Sequence, residues 1–168
     1  MIKFLGKDMP EQEAYEEIIN KLSLFIESEQ VLLDTLNEIR DYCEKKISDG
    51  MGTIQGNETI DAIGKTTFVV MKKMFASQRI KEDEKWEKIK QKGKINEFIK
   101  DVEKSAKAMQ QTIDGISATI MQANKNYSPS VIKDLVDVYI DMTEWGLEMY
   151  KDQLDWAKEN VEVVERGE

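Results

Sequence analysis

The chain has 168 residues, 40% of them apolar and 34% charged, with 9 Gly and 2 Pro. That balance fits one charge-rich domain with a buried core and excludes a disordered or loop-rich chain. A net charge of −9 excludes general affinity for nucleic acid, which needs a basic surface to displace phosphate counterions.

Residues 1–9 read as a short N-terminal extension to a single helical-bundle domain. The opening Met1-Ile2-Lys3-Phe4-Leu5-Gly6 is too short an apolar run for a signal peptide. No run approaches the roughly 18 apolar residues of a membrane span, and cytoplasmic residence is the expectation.

The first helix is predicted over about 10–49. Asp8 three residues before Glu11 offers a reciprocal cap, with Pro10 in the first turn. Ile18, Leu22, Phe25, Glu29, Leu32, Leu36, Ile39 and Cys43 recur at steps of three and four, which keeps one seam on one face. Gly50 and Gly52 supply the stop.

The second helix is predicted over 57–92, capped by Asn57 and ended by Gly93. Its expected seam is Ile60, Ile63, Thr67, Val70 and Met74. Thr66 to Val70 is β-branched enough for a strand, but the helical period continues through it.

The third helix is predicted over 94–126. Its seam is uncharged from Ile95 through Ile99, Val102, Ala106, Met109, Ile113, Ile116, Ile120 and Ala123 to Tyr127. Asp114 is the only charge between Ala108 and Asn124, and small side chains are frequent, so this helix is expected to be the most buried.

The fourth helix, over 129–164, opens at Ser128-Pro129. Four segments of similar length with short connections predict an all-α fold, a long antiparallel up-down-up-down four-helix bundle with coiled-coil-like seams. In such a ring the second helix lies diagonally across from the fourth.

Histidine is absent and Cys43 is the only cysteine. Histidine or thiolate zinc sites, histidine triads and Glu-x-x-His di-iron sites are thereby excluded, and no intrachain disulfide can form. No phosphate-cradling Gly-rich loop occurs. No catalytic residue, cofactor or metal is indicated, nor is a small-molecule ligand.

Glu13-x-x-Glu16 and Glu38-x-x-Asp41 resemble the paired acidic motifs of all-α nucleotide pyrophosphohydrolases, in which carboxylates on two helices hold magnesium. Here no Gly or Pro separates the pairs, so both fall on one helix. Glu16 and Glu38 are then about 33 Å apart and cannot share an ion within one chain.

Glu29 interrupts the apolar seam of the first helix, as Gln153 and Asn160 do in the fourth. It reads either as a buried functional carboxylate with a raised pKa or as a polar residue that sets register or snorkels to the surface. Met71, Met74, Met109, Met142 and Met149 stand at core spacing, as adaptable filler or as a pliable groove.

Charge is laid out in stripes. Residues 8–49 carry 12 acidic and 4 basic side chains, residues 72–94 carry 4 and 9, and residues 128–168 carry 11 and 4. On the fourth helix, Asp134, Asp137, Asp141, Glu144, Glu148, Asp152, Asp155, Glu159 and Glu162 step by three or four along one face. On the second, Lys81, Lys85, Lys88 and Lys92 form the opposite stripe. Lying diagonally, the two could meet only between chains. Otherwise both are solvated faces whose repulsion is screened by salt.

The apolar arc of the fourth helix, which includes Trp145 and Trp156, is wider than a single packing face needs. These features together predict a non-enzymatic interaction or assembly module acting through a homodimer or a helical partner. The runner-up is a membrane-active or curvature-binding bundle. It rests on the low-charge run from Met51 to Val70 followed by Lys72, Lys73 and a basic segment with Trp86. Magnesium-dependent nucleotide hydrolysis is the third reading.

Overall fold

A computed structural model describes residues 1–53, 56–165 and 167, with side chains omitted for 163–165. Four long helices dominate it, α1 (Glu11–Ser48), α2 (Glu58–Lys92), α3 (Ile95–Asn126) and α4 (Pro129–Glu165), preceded by two short strands. The all-α expectation holds, and the helix bounds fall within a residue or so of those expected.

The 1–9 segment is not a loose extension. Strands β1 (Ile2–Phe4) and β2 (Lys7–Met9) pair antiparallel, Ile2 opposite Met9 and Phe4 opposite Lys7. Leu5 and Gly6 make the turn, both with positive φ (49° and 82°), the backbone pattern that suits a two-residue hairpin. Asp8 therefore sits in β2. α1 starts at an N-cap of Pro10 without any side-chain cap, so the reciprocal Asp8–Glu11 cap is not formed.

The other helix boundaries follow the local chemistry. The Asn57 side chain accepts from the Thr59 and Ile60 N–H groups and opens α2. Gly93, left-handed at φ 60°, closes it, and its N–H donates to the Ile89 carbonyl.

Ring order differs from the expected one. α1 packs along most of its length against α4, α4 also packs on α2, α2 meets α3, and α3 returns to α1. α2 is thus beside α4, and consecutive α1 and α2 do not pack closely. Phe25 meets Tyr150 while Glu29 faces Gly146, so α1 and α4 run antiparallel. Gly64 lies against Val131 and Trp86 against Asp152, so α2 and α4 run parallel.

α4, not α3, is the most buried helix. Val131, Leu135, Val136 and Ala157 are fully covered, whereas most of α3 between Gln110 and Met121 faces solvent. The wide apolar arc of α4 is accounted for by its three neighbours in the same chain. A β-carbon on Gly64 would lie 2.7 Å from the Tyr127 ring and 2.9 Å from Val131, so glycine is what lets α2 approach α4 at this end.

The core divides in two. One cluster gathers Phe4, Tyr15, Ile18, Leu22, Trp86, Phe98 and Ala157, and the other Leu33, Leu36, Phe68, Ile116, Val131, Leu135 and Leu147. Glu29 on α1 and Gly146 on α4 fall between them, at the waist of the bundle.

Candidate functional sites

Two features stand apart from ordinary bundle packing: the outer face of α2 and the cavity at the waist.

The predicted α2 seam is exposed. Ile60, Ile63, Val70 and Met74 are all 43–68% accessible, and Val69 and Ile80 are as open. The core is contacted by the neighbouring face, through Gly64, Phe68, Trp86 and Ile89. α2 therefore carries two apolar stripes side by side, and the bundle uses the one with the larger rings. No acidic residue lies between Asp61 and Glu82. Over those turns the cations Lys65, Lys72 and Arg79, seven apart, share clefts with the α4 carboxylates Asp134, Asp137, Asp141, Glu144 and Glu148. The outward face between Thr59 and Ile80 is left with Lys73 as its principal charge.

α2 and α4 do exchange charge within the chain, but through Lys90 and not through the expected lysine stripe. Lys90 Nζ reaches Asp152 at 2.8 Å, and Trp86 Nε1–H donates to the same carboxylate at 2.6 Å. Burial pushes the Asp152 carboxyl up, but those two hydrogen bonds and the Lys90 charge outweigh it and hold it below its usual range. Of the expected lysine stripe, Lys85 turns to Asp101 on α3 at 2.8 Å, while Lys81, Lys88 and Lys92 face solvent. Asp134, Asp141, Glu144 and Glu148 are exposed and Asp137 accepts from Lys133 at 2.8 Å. Trp145 and Trp156 work inside the chain. Trp145 stacks edge-on against Phe75 and donates to Asp83 at 2.8 Å, and Trp156 packs against Trp86 and Phe98.

The second feature is a cavity of about 270 Å³ between all four helices. Its walls include Trp86, Trp145, Tyr150, Met109 and Met149, and Glu29 projects into it. Gln78, Glu82, Lys85, Asp101 and Lys104 surround its mouth. Among the described residues no donor or cation pairs with Glu29, and burial pushes its carboxyl from 4.5 up to about 7. Burial also raises the Tyr150 hydroxyl, with Ser105 opposing and the Glu29 charge adding to the rise. Glu29 thus stands at a seam position with its carboxyl raised by burial, as the first of the two readings of this residue expects. It is half-buried and opens into the cavity.

The ionised form of Glu29 should cost stability. In the unfolded chain the carboxyl titrates near 4.5 and in the folded chain near 7. Above pH 7 it is charged in both states and the full cost applies. As pH falls from 7 toward 4.5 the folded state takes up the proton first and the cost fades. Discounted for partial contact with solvent, the effect is about 1–2 kcal/mol. Glu29→Gln should accordingly stabilise the fold at pH 8 and barely at pH 5 in chemical denaturation. A gap that does not change with pH would refute this account.

A larger cleft, about 460 Å³, lies between the C-terminal halves of α1 and α3 and the start of α4, and Cys43 lines it. Burial raises the Cys43 thiol, partly offset by Lys133 and reinforced by Asp137 and Glu44, so it is a poor nucleophile. Glu13, Glu16, Glu38 and Asp41 are all exposed on α1 and do not converge with one another. Among the described residues no group of three or more His, Cys, Asp or Glu could hold a metal ion, and no helix is long and apolar enough to cross a membrane. No family model, characterised protein or solved structure matches the chain.

Proposed function

We propose that this chain is a non-enzymatic helical association module that docks onto a second copy of itself through the outer face of α2. The observation that carries the reading is the unpartnered apolar strip formed by Ile60, Ile63, Val70 and Met74. Contiguous exposed apolar surface of this kind marks association sites.

The strip is complementary to itself. In an antiparallel pairing centred on Val70, Met74 faces Thr66 and Ile63 faces Ser77, so large side chains meet small ones. Such a pairing is isologous, the interface type of twofold dimers. Lys65, Lys72 and Arg79 lie off the strip, in clefts shared with α4 carboxylates, so two copies meet without a block of like charge. Those carboxylates, with the overall charge of −9, argue against an anionic lipid surface as the occupant.

Sedimentation equilibrium tests the proposal. The wild type should be dimeric at about 100 μM, where even a −6 kcal/mol interface is populated. Val70→Glu with Met74→Glu, both at exposed positions, should leave the helical circular dichroism unchanged and weaken association at least about tenfold. A wild-type monomer at that concentration, or a dimer indifferent to the double substitution, would overturn it. So would binding to anionic vesicles, abolished by the same substitutions, in a chain that does not self-associate.

A further inference from the structure

We infer that the cavity at the waist of the bundle is a binding site for a small organic ammonium ion, its nitrogen against Glu29 and its carbon skeleton against the aromatic wall. This does not depend on self-association through α2, which lies on the outside of the molecule.

Three observations carry it. The first is the absence of any partner for Glu29. The residue occupies an apolar seam position, where Leu or Ile would extend the contacts of Phe25 and Leu32, yet among the described residues no cation or donor pairs with it. An unpaired carboxylate in such a place is a net cost to folding. A cation arriving from solvent removes that cost, and the free energy recovered contributes to its affinity.

The second is the space in front of the carboxylate. Gly146 stands opposite, in the middle of a 37-residue helix where glycine is otherwise unfavourable. A β-carbon there would lie 3.6 Å from Glu29 Oε2, occupying the volume that a ligand would fill. The two core clusters stop on either side of this point, so the gap follows from the arrangement of all four helices.

The third is the chemistry of the wall. Trp86, Trp145 and Tyr150 present aromatic rings, and Met109 and Met149 add polarisable sulfur. Aromatic rings around a carboxylate attract alkylated ammonium, through the ring quadrupole together with direct ion pairing. An anion would meet the Glu29 charge, and a neutral donor would hydrogen-bond to the carboxylate without compensating that charge. At about 270 Å³ the cavity suits a compact cation and is below the usual size for a nucleotide or a peptide.

The mouth adds charges of both signs, Glu82 and Lys85 from α2 and Asp101 and Lys104 from α3. Lys85 and Asp101 are bound to each other. Tyr150 is the titratable group of α4 that couples to Glu29. With the carboxyl near 7, binding requires loss of its proton below that pH, so affinity should fall about tenfold between pH 8 and pH 6.

Butylammonium and tetramethylammonium are suitable probes, with 1-butanol as the uncharged comparison. Tryptophan fluorescence reports occupancy, since two of the three Trp residues line the cavity, and calorimetry gives stoichiometry. One of the two ions should bind the full chain saturably, one per chain, below about 1 mM. Glu29→Gln and 1-butanol should each lower affinity at least about tenfold, and pH 6 should do the same. Gly146→Ala keeps the carboxylate and narrows the space, so it should also weaken binding, and it serves as the second variant should Glu29→Gln not fold. No saturable binding of either ion up to about 10 mM would overturn the site. Equal binding to Gly146→Ala, or to a folded Glu29→Gln, would do so too, as would 1-butanol binding as well as butylammonium.

Discussion

Trp86→Ala is expected to cost about 3–5 kcal/mol, a large part of what holds a domain of this size together. Trp86 is 4% exposed and stands where α2, α3 and α4 converge. Its ring lies 5.5 Å from that of Phe98 and 5.7 Å from that of Trp156, and Lys90 sits over it at 5.6 Å. Its indole N–H also satisfies Asp152. Truncation would open a cavity beside the rings of Phe98 and Trp156 and remove one donor from that carboxylate. Trp86→Phe separates the two losses, because it keeps most of the ring contact and Lys90 still pairs Asp152. It should cost about 1–2 kcal/mol, chiefly the neutral donor and some volume. Urea denaturation followed by circular dichroism measures both. A Trp86→Ala loss below about 1.5 kcal/mol would show that this junction is not where α2 is held.

Phe4→Ala should be comparably costly, at about 3–5 kcal/mol, although it lies in a nine-residue segment outside the helices. Phe4 is 2% exposed, and with Met9 it packs into the cluster that holds Tyr15, Ile18 and Trp86. An isolated two-stranded hairpin is marginal in water. β1 and β2 therefore owe their order to these two side chains, and loss of Phe4 should release the hairpin as well as leave a hole in the core. Hydrogen exchange would show the β1 and β2 amides losing protection in the variant while α1 and α4 keep theirs. A stability change within about 1 kcal/mol would mean that the hairpin merely rests on the bundle.

Helix positions were legible in the sequence because caps and breakers are local. Asn57, Gly93 and Ser128-Pro129 act through bonds to residues a few positions away. The seams of α1 and α3 were legible too, each being the one apolar stripe on its helix. α2 was misread because it has two. Ile60, Ile63, Val70 and Met74 follow the helical period as well as Gly64, Phe68, Met71 and Phe75 do, and periodicity cannot rank adjacent stripes. Ring size could have ranked them, since Phe68 and Trp86 lie on the stripe that is buried. The seven-residue recurrence of Lys65, Lys72 and Arg79 was the available sign that α2 lies beside the acidic face of α4. Ring order itself depends on how four seams share one interior, which no single helix encodes. The N-terminal hairpin was missed because Leu5-Gly6 lacks the Asn or Asp that commonly marks such turns. Glu29 was visible as an interruption of its seam, but the cavity around it was not, because its walls come from four helices.

The pairing of α1 with α4 bears on how the chain reaches its fold. During synthesis α1 leaves the ribosome first, and its seam, from Ile18 to Cys43, finds its main cover only when the last helix follows. α2, the next to emerge, does not pack closely on it. The most extensive helix pair in the molecule is therefore also the most distant in sequence, which raises contact order for an all-helical protein and slows its folding. In that interval the nascent α1 exposes eleven turns of amphipathic helix, with Leu22, Phe25, Leu33 and Leu36 uncovered. Its excess of carboxylates would then serve a second purpose, keeping unfinished chains apart by repulsion until α4 arrives.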